Sequence, residues 1–191
     1  MVAVGVLALQ GAFRAHRNKL AELGVVSREV RTPQDLETVD ALIMPGGEST
    51  TMSMLLESSG LYEPLAVRIA AGMAVFGTCA GLILLATEIE DGRPDQRSFG
   101  RLDVSVQRNA YGRQLESFET DLQTTVTEDD IHAVFIRAPK ITRVGDSIEV
   151  LASVEDEPVL VREGNALGAS FHPELANGSR IHRLFLDSVA Y

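Results

Sequence analysis

The sequence of 191 residues contains one cysteine, Cys79, and no tryptophan. A single thiol excludes an internal disulfide framework and a thiolate-rich zinc site. Aromatic residues make up only 5% of the chain, so the stacking platforms used by single-strand binders are lacking. Basic residues are also scarce, 17 Lys and Arg against 27 Asp and Glu, for a formal net charge of −10. Such a surface repels phosphate backbones, and no basic stripe reverses it locally, so no nucleic-acid partner is expected. The start, MVAVGVLALQG, has neither the basic n-region nor the small-residue cleavage site of a secretory signal. The expected location is cytoplasmic, and neither a metal nor a cofactor is expected.

One apolar run stands out. Ile69 to Thr87 is 19 residues without a charge, and Cys79 lies near its centre. A membrane span needs about 20 predominantly apolar residues in one helix. This run holds three glycines and a Thr-Cys pair, and amphipathic segments surround it. It therefore reads as a buried strand (Met73 to Phe76), a tight turn (Gly77 to Gly81) and a helix (Ala80 to Thr87).

The rest of the first half alternates in the same way. Val2 to Leu9 and Ala41 to Pro45 are short, nearly continuous apolar runs, as in strands buried on both faces. Phe13 to Leu23 carries a helical stripe that stops at Gly24, and Glu63 to Gly72 is a further helix. A helix also begins after Gly47, with Ser49 or Thr50 placed to cap it. Later, LDVSVQRN, LESFETDLQTTV, AVFIRAP, IEVLASV, PVLVREG and NALGASFHPE read as short strands, several alternating apolar with polar, and GSRIHRLFLDSVAY as a closing amphipathic helix. The expectation is a single α/β domain, residues 1–191, with a mainly parallel central sheet and an antiparallel extension.

Three segments can carry chemistry. FGTCAGL sets Cys79 between Gly77 and Gly81, where a strand becomes a helix. In a G-x-nucleophile-x-G elbow the glycines remove side chains that would otherwise collide. The start of the helix favours thiolate, and the N–H of Ala80 is placed to stabilise an oxyanion. A buried structural cysteine is the other reading of a lone thiol. Among the four histidines, His16 and His182 read as surface or rim residues of helices and His132 as solvated. His172, in ASFHPE, ends an apolar strand, and residues two apart in extended chain face one way, so Glu174 can orient its imidazole. MPGGEST offers glycine amides after a strand: an anion cradle, a second oxyanion donor beside Cys79, or a plain turn. No Lys follows these glycines, as a nucleotide loop would require. Loops at the carboxyl ends of adjacent parallel strands converge on one crevice, which would bring these segments together.

GTCAGL, PGGEST and FHPE together resemble the class I, triad-type glutamine amidotransferases. The longer strings LALQGAFRAH, LIMPGGESTTM, FGTCAGLILLA, RNAYGRQLESFE, FIRAP and GASFHPEL resemble, within them, the glutaminase subunits of pyridoxal 5′-phosphate synthase, in family order over essentially the whole chain. The resemblance implies a three-layer, flavodoxin-like fold and hydrolysis of L-glutamine to L-glutamate and ammonia. It further implies transfer of the ammonia to a (β/α)₈-barrel synthase subunit in a hetero-oligomer that makes vitamin B6, with docking completing the oxyanion site. Carried onto this sequence, Cys79 is the nucleophile, His172 the base and acid, and Glu174 the orienting carboxylate. Gly47, Glu48, Ser49, Arg108, Ile136 and Arg137 are the glutamine-contacting positions, and the backbone of Gly47 and Ala80 forms the oxyanion hole. Free glutamine is a zwitterion, so a carboxylate such as Glu48 and arginines such as Arg108 and Arg137 suit it. Met52 and Met54 read as core or interface filler. Glu88 to Arg101 reads as a polar surface loop that does not touch the triad.

Overall fold

The computed structural model describes residues 2–108, 117–127 and 129–189. Residues 109–116, which belong to the RNAYGRQLESFE string and include Leu115 and Glu116 of the strand expected there, lie outside the described residues, as do Ala190 and Tyr191 of the closing helix.

The expected alternation of strand and helix builds the first half. It runs β1 (Val4–Leu7), α1 (Phe13–Glu22), β2 (Arg28–Val30), α2 (Pro33–Glu37), β3 (Ala41–Met44), α3 (Ser49–Ser58), α4 (Tyr62–Ala70), β4 (Ala74–Thr78) and α5 (Ala80–Leu85). Strands dominate thereafter: β5 (Ala86–Ile89), β6 (Leu102–Gln107), β7 (Ser117–Leu122), β8 (Ile131–Ile136), β9 (Lys140–Val144), β10 (Glu149–Val154), β11 (Glu157–Glu163) and β12 (Ala166–Ala169), closed by α6 (Arg180–Val189). A seven-stranded sheet has the order β10-β11-β12-β4-β3-β1-β2. Its stretch from β12 to β2 is parallel, and β10 and β11 extend it antiparallel. Smaller sheets pair β5, β6 and β9, and β7 with β8.

The sheet is buried on both faces, which is why its strands read as continuous apolar runs. Successive side chains nevertheless go to opposite sides. Leu42, Met44 and Val75 join a cluster with Met52, Leu56, Leu65 and Leu82 of α3, α4 and α5. Ala41, Ile43, Ala74 and Phe76 join the other cluster, with Leu20 of α1 and Ile181 and Phe185 of α6. Helices on both faces make three layers.

Several local expectations are corrected. The helix after the elbow ends at Leu85, two residues early, and the chain continues directly into β5. All six residues of α5 are buried, so no polar face marks its end. The cap of α3 is Glu48, not Ser49 or Thr50: the backbone is extended at Glu48, whose carboxylate accepts from the N–H groups of Thr50 and Thr51. His16 and His182, expected at the surface, are fully buried. Both lie on the apolar stripes of their helices, His16 in line with Leu20 and His182 beside Ile181. Among the described residues, no helix is long and apolar enough to cross a membrane.

Candidate active site

Four strands of the parallel sheet end at one crevice. β1 leads into Gln10 and Gly11, β3 into Gly46 and Gly47, β4 into Cys79, and β12 into His172. The cavity there measures about 410 Å³. Its walls include Gly47, Glu48, Ser49, Cys79, Arg108, Ile136, Arg137 and His172, eight of the residues singled out from the sequence. Glu174 stands behind His172, and Ala80 is the buried first residue of α5.

The turn at Cys79 is sharp. Its backbone sits at φ 49° and ψ −104°, a conformation costly for any residue with a Cβ. Its N–H donates to the Ala169 carbonyl (2.8 Å) and its own carbonyl accepts from Ile83 (3.2 Å), so neighbouring elements hold it there. The flanking glycines permit the approach. A Cβ on Gly81 would lie 2.0 Å from the Met44 carbonyl oxygen, and one on Gly77 would lie 2.5 Å from the backbone of Gly81. With only six residues, α5 contributes a short dipole, and the titratable neighbour of Cys79 on the cavity wall is the imidazole of His172.

His172 and Glu174 meet as expected, with Nδ1 2.8 Å from Oε1, although the chain there turns instead of running extended. Leu175 N–H closes the turn on the His172 carbonyl (3.1 Å), and His172 N–H donates to Val134 (2.8 Å). Burial alone would lower the His172 pKa. The hydrogen bonds to Cys79 and Glu174, and their charges, outweigh burial and lift it to about 10. Glu174 is the mirror case: burial favours its neutral form, but His172 and then His16 hold it below the usual carboxylate range.

Glu48 is fixed by three contacts, from Thr50 N–H (3.1 Å), Thr51 N–H (2.7 Å) and Thr51 Oγ1 (2.7 Å). Partial burial opposes its charge, yet the Thr51 and Thr50 hydrogen bonds keep its pKa below the usual value. Arg108 reaches Thr50 Oγ1 (2.9 Å), Gln96 Oε1 (2.6 Å) and, more loosely, Glu48 Oε1 (3.5 Å). Arg137 is exposed, at φ 44°.

Two participants were missed. Gln10 accepts from Glu48 N–H (3.1 Å) and packs against Gly47, tying the glycine loop to the β1–α1 turn. Gln96 belongs to the segment expected to be a polar surface loop clear of the triad; it reaches the other wall of the site, donating to Ser49 Oγ (3.1 Å) and accepting from Arg108. Gln10 lay inside a quoted string without an assigned role; nothing in the local pattern around Gln96 marked it.

Behind the site, burial lowers the His16 pKa to about 4 against the opposing pull of Glu174, and that of His182 to about 2. Both are neutral in the folded protein at pH 7 but protonate near 6.5 when unfolded. The unfolded chain therefore binds more protons below that value, and stability falls as pH drops from about 6.5 towards 4. Each histidine contributes a slope of up to about 1.4 kcal/mol per pH unit. Urea midpoints measured between pH 7 and 5 should fall accordingly, and His182→Phe should flatten the decline; a midpoint independent of pH would contradict this.

Residues 6–191 match the SNO glutamine amidotransferase family. The pyridoxal 5′-phosphate synthase subunit PdxT of Mycobacteroides abscessus is 54% identical, over 97% of this chain and 96% of its own. Its namesake from Frankia alni is 52% identical, over 97% and 94%. A crystal structure described as a glutamine amidotransferase superposes with a TM-score of 0.92 at 50% identity, covering 98% of this chain and 99% of the other.

Proposed function

The chain belongs to the SNO glutamine amidotransferase family, and on that premise we propose that it draws ammonia from glutamine with Cys79 as nucleophile, His172 as general base and acid, and Glu174 as the carboxylate that orients His172. It supplies that ammonia for pyridoxal 5′-phosphate synthesis, the process its 54% and 52% identical relatives are named for. The observation that carries the residue assignment is that Cys79 and His172 stand side by side on the wall of one cavity, both within 3.4 Å of the place a Cβ on Gly46 would take, with His172 hydrogen-bonded to Glu174 behind it.

The steps follow from the chemistry of these groups. The Cys79 thiolate attacks the side-chain amide carbon of glutamine, and the N–H groups of Gly47 and Ala80 hold the oxyanion that forms. The imidazolium of His172 gives its proton to the departing nitrogen, and ammonia leaves a glutamyl thioester on Cys79. Neutral His172 then takes a proton from water, the hydroxide attacks the thioester, and glutamate is released as the thiolate returns. Glu48 receives the ammonium of the substrate, while Arg108 and Arg137 receive its carboxylate; Ser49 and Ile136 complete its surroundings. Threonine amides fix Glu48 before substrate arrives, so little ordering is left for binding.

The partner is a (β/α)₈-barrel synthase subunit in a hetero-oligomer, in the cytoplasm, and the whole chain acts as one glutaminase domain. Docking of the synthase completes the oxyanion site, and one missing donor is worth about 2.7–4 kcal/mol of transition-state stabilisation. An electrophilic ketone analogue of glutamine tests the assignment. With synthase subunit present it should label Cys79, as mapped by mass spectrometry, and glutamine should protect. Labelling at another residue, or labelling that glutamine does not slow, would remove Cys79 from its role.

A further inference from the structure

Two buried histidines stand behind the triad with no part in the steps above. His16 Nδ1 lies 2.9 Å from His182 Nε2, and His16 Nε2 lies 3.2 Å from Thr78 Oγ1. The same His16 Nε2 is 3.4 Å from Glu174 Oε2, the carboxylate oxygen that His172 does not use. Among the described residues, Glu174 Oε2 and His182 Nδ1 are both buried without a hydrogen-bond partner. Neither histidine has any exposed surface.

These positions allow the protons to be placed. The two facing nitrogens of His16 and His182 share one proton, so there are two arrangements. In the first, His16 donates from Nδ1 to His182 Nε2. His16 Nε2 then accepts from the Thr78 hydroxyl and turns its lone pair toward a carboxylate 3.4 Å away, Glu174 Oε2 has no donor, and His182 Nδ1 carries a buried N–H with no acceptor among the described residues. A buried unsatisfied donor costs about 1–3 kcal/mol, and two lone pairs repel. In the second, His182 donates from Nε2 to His16 Nδ1, and His16 Nε2–H donates to Thr78 Oγ1, with Glu174 Oε2 3.4 Å from the same nitrogen. Both ring protons then have an acceptor, and on the two imidazoles only a lone pair at His182 Nδ1 is left over.

We propose that His16 is a positioning residue of the glutaminase site: fixed as its Nε2–H tautomer by His182, it donates to Glu174 Oε2, so that one imidazole holds each oxygen of the carboxylate. The carboxylate plane, and with it the ring of His172, is then set from both sides. A neutral donor suits this place because it stabilises the Glu174 anion without setting a second positive charge against the imidazolium of His172. The packing supports fixed ring planes: Phe76 meets His16 edge-on (6.2 Å, 88°) and His182 edge-on (5.8 Å, 81°).

This inference rests on the reading of Glu174 as the triad carboxylate, and its test separates the two. Nitrogen-15 spectra of the full wild-type chain, labelled at histidine and assigned by comparison with His16→Gln, should show His16 protonated at Nε2 and bare at Nδ1. The reverse tautomer would overturn the proposal whatever the kinetics show. With synthase subunit present, His16→Leu should lower kcat about 10- to 100-fold, the range for a lost hydrogen bond to a charged group, and leave KM for glutamine unchanged. His16→Gln, whose amide nitrogen can take the place of Nε2, should recover most of that loss. A Leu variant at the wild-type kcat, or a Gln variant no faster than Leu, overturns the role of His16. Glu174→Gln at the wild-type rate would instead remove the triad reading itself.

Discussion

Alanine at Cys79 should cut glutamate formation by on the order of 10⁴-fold or more with the synthase subunit present, since no other nucleophile can form the thioester. Glycine at the same position should be equally inactive but more stable than the alanine variant by about 1 kcal/mol. The backbone explains the difference. At φ 49° and ψ −104° any Cβ is strained, and such strain costs about 1–3 kcal/mol. Alanine keeps the Cβ and the strain. Glycine releases it, though part of the gain is offset by the greater freedom of its unfolded chain. The elbow itself should persist in both variants, because the N–H and C=O of residue 79 bond to Ala169 and Ile83, and Gly81 packs against the Met44 carbonyl. Glutamate production and urea denaturation, measured on both variants, read the two effects separately. A glycine variant less stable than alanine would show that the elbow stores no strain for the thiol.

That elbow was legible in the sequence because its signals are local: a buried strand, two glycines four residues apart, and a nucleophile between them. The convergence of the Cys79 turn, the glycine loop and the His172 strand end was legible too, since parallel strands leave their carboxyl ends on one edge of the sheet. The fourth loop, after β1, was not. What escaped notice depended on tertiary contacts. β2, with three residues, and α2, with five, are too short for a period to show. The histidines were misplaced for a different reason. A histidine on a helix suits water as well as it suits a core that supplies partners, and His16 finds its partners 62 and 166 residues away. An imidazole in register with Leu20 on the apolar stripe was the available clue. Glu48 shows the reverse: Ser and Thr are preferred caps by type, but the residue that caps is the one with extended backbone just before the helix, and a glutamate reaches the same amides.

Gly46→Ala should lower kcat about 100-fold with only a modest loss of stability. Gly46 is not among the glycines with positive φ, so alanine fits its backbone and the penalty is steric. An added Cβ would lie 2.5 Å from His172 Cε1, 3.0 Å from Nδ1 and 3.4 Å from the Cβ of Cys79. One side must yield. The loop is held by the Gly46 carbonyl, which accepts from Ala12 N–H at 3.1 Å, and by Glu48 N–H on Gln10. Among the described residues the imidazole is held by its hydrogen bond to Glu174, and its other side faces the cavity, so it is the ring that moves. Displacement by about 1 Å between reacting groups costs about 10²-fold in rate, whereas crowding a packed site costs about 1–3 kcal/mol of stability. Gly24→Ala is the control: Gly24 has φ +76° and open space around it, so alanine there strains the backbone far from the crevice. It should lose stability of the same order and keep its kcat. If Gly46→Ala retains full kcat while Gly24→Ala behaves as expected, the imidazole does not depend on the glycine beside it.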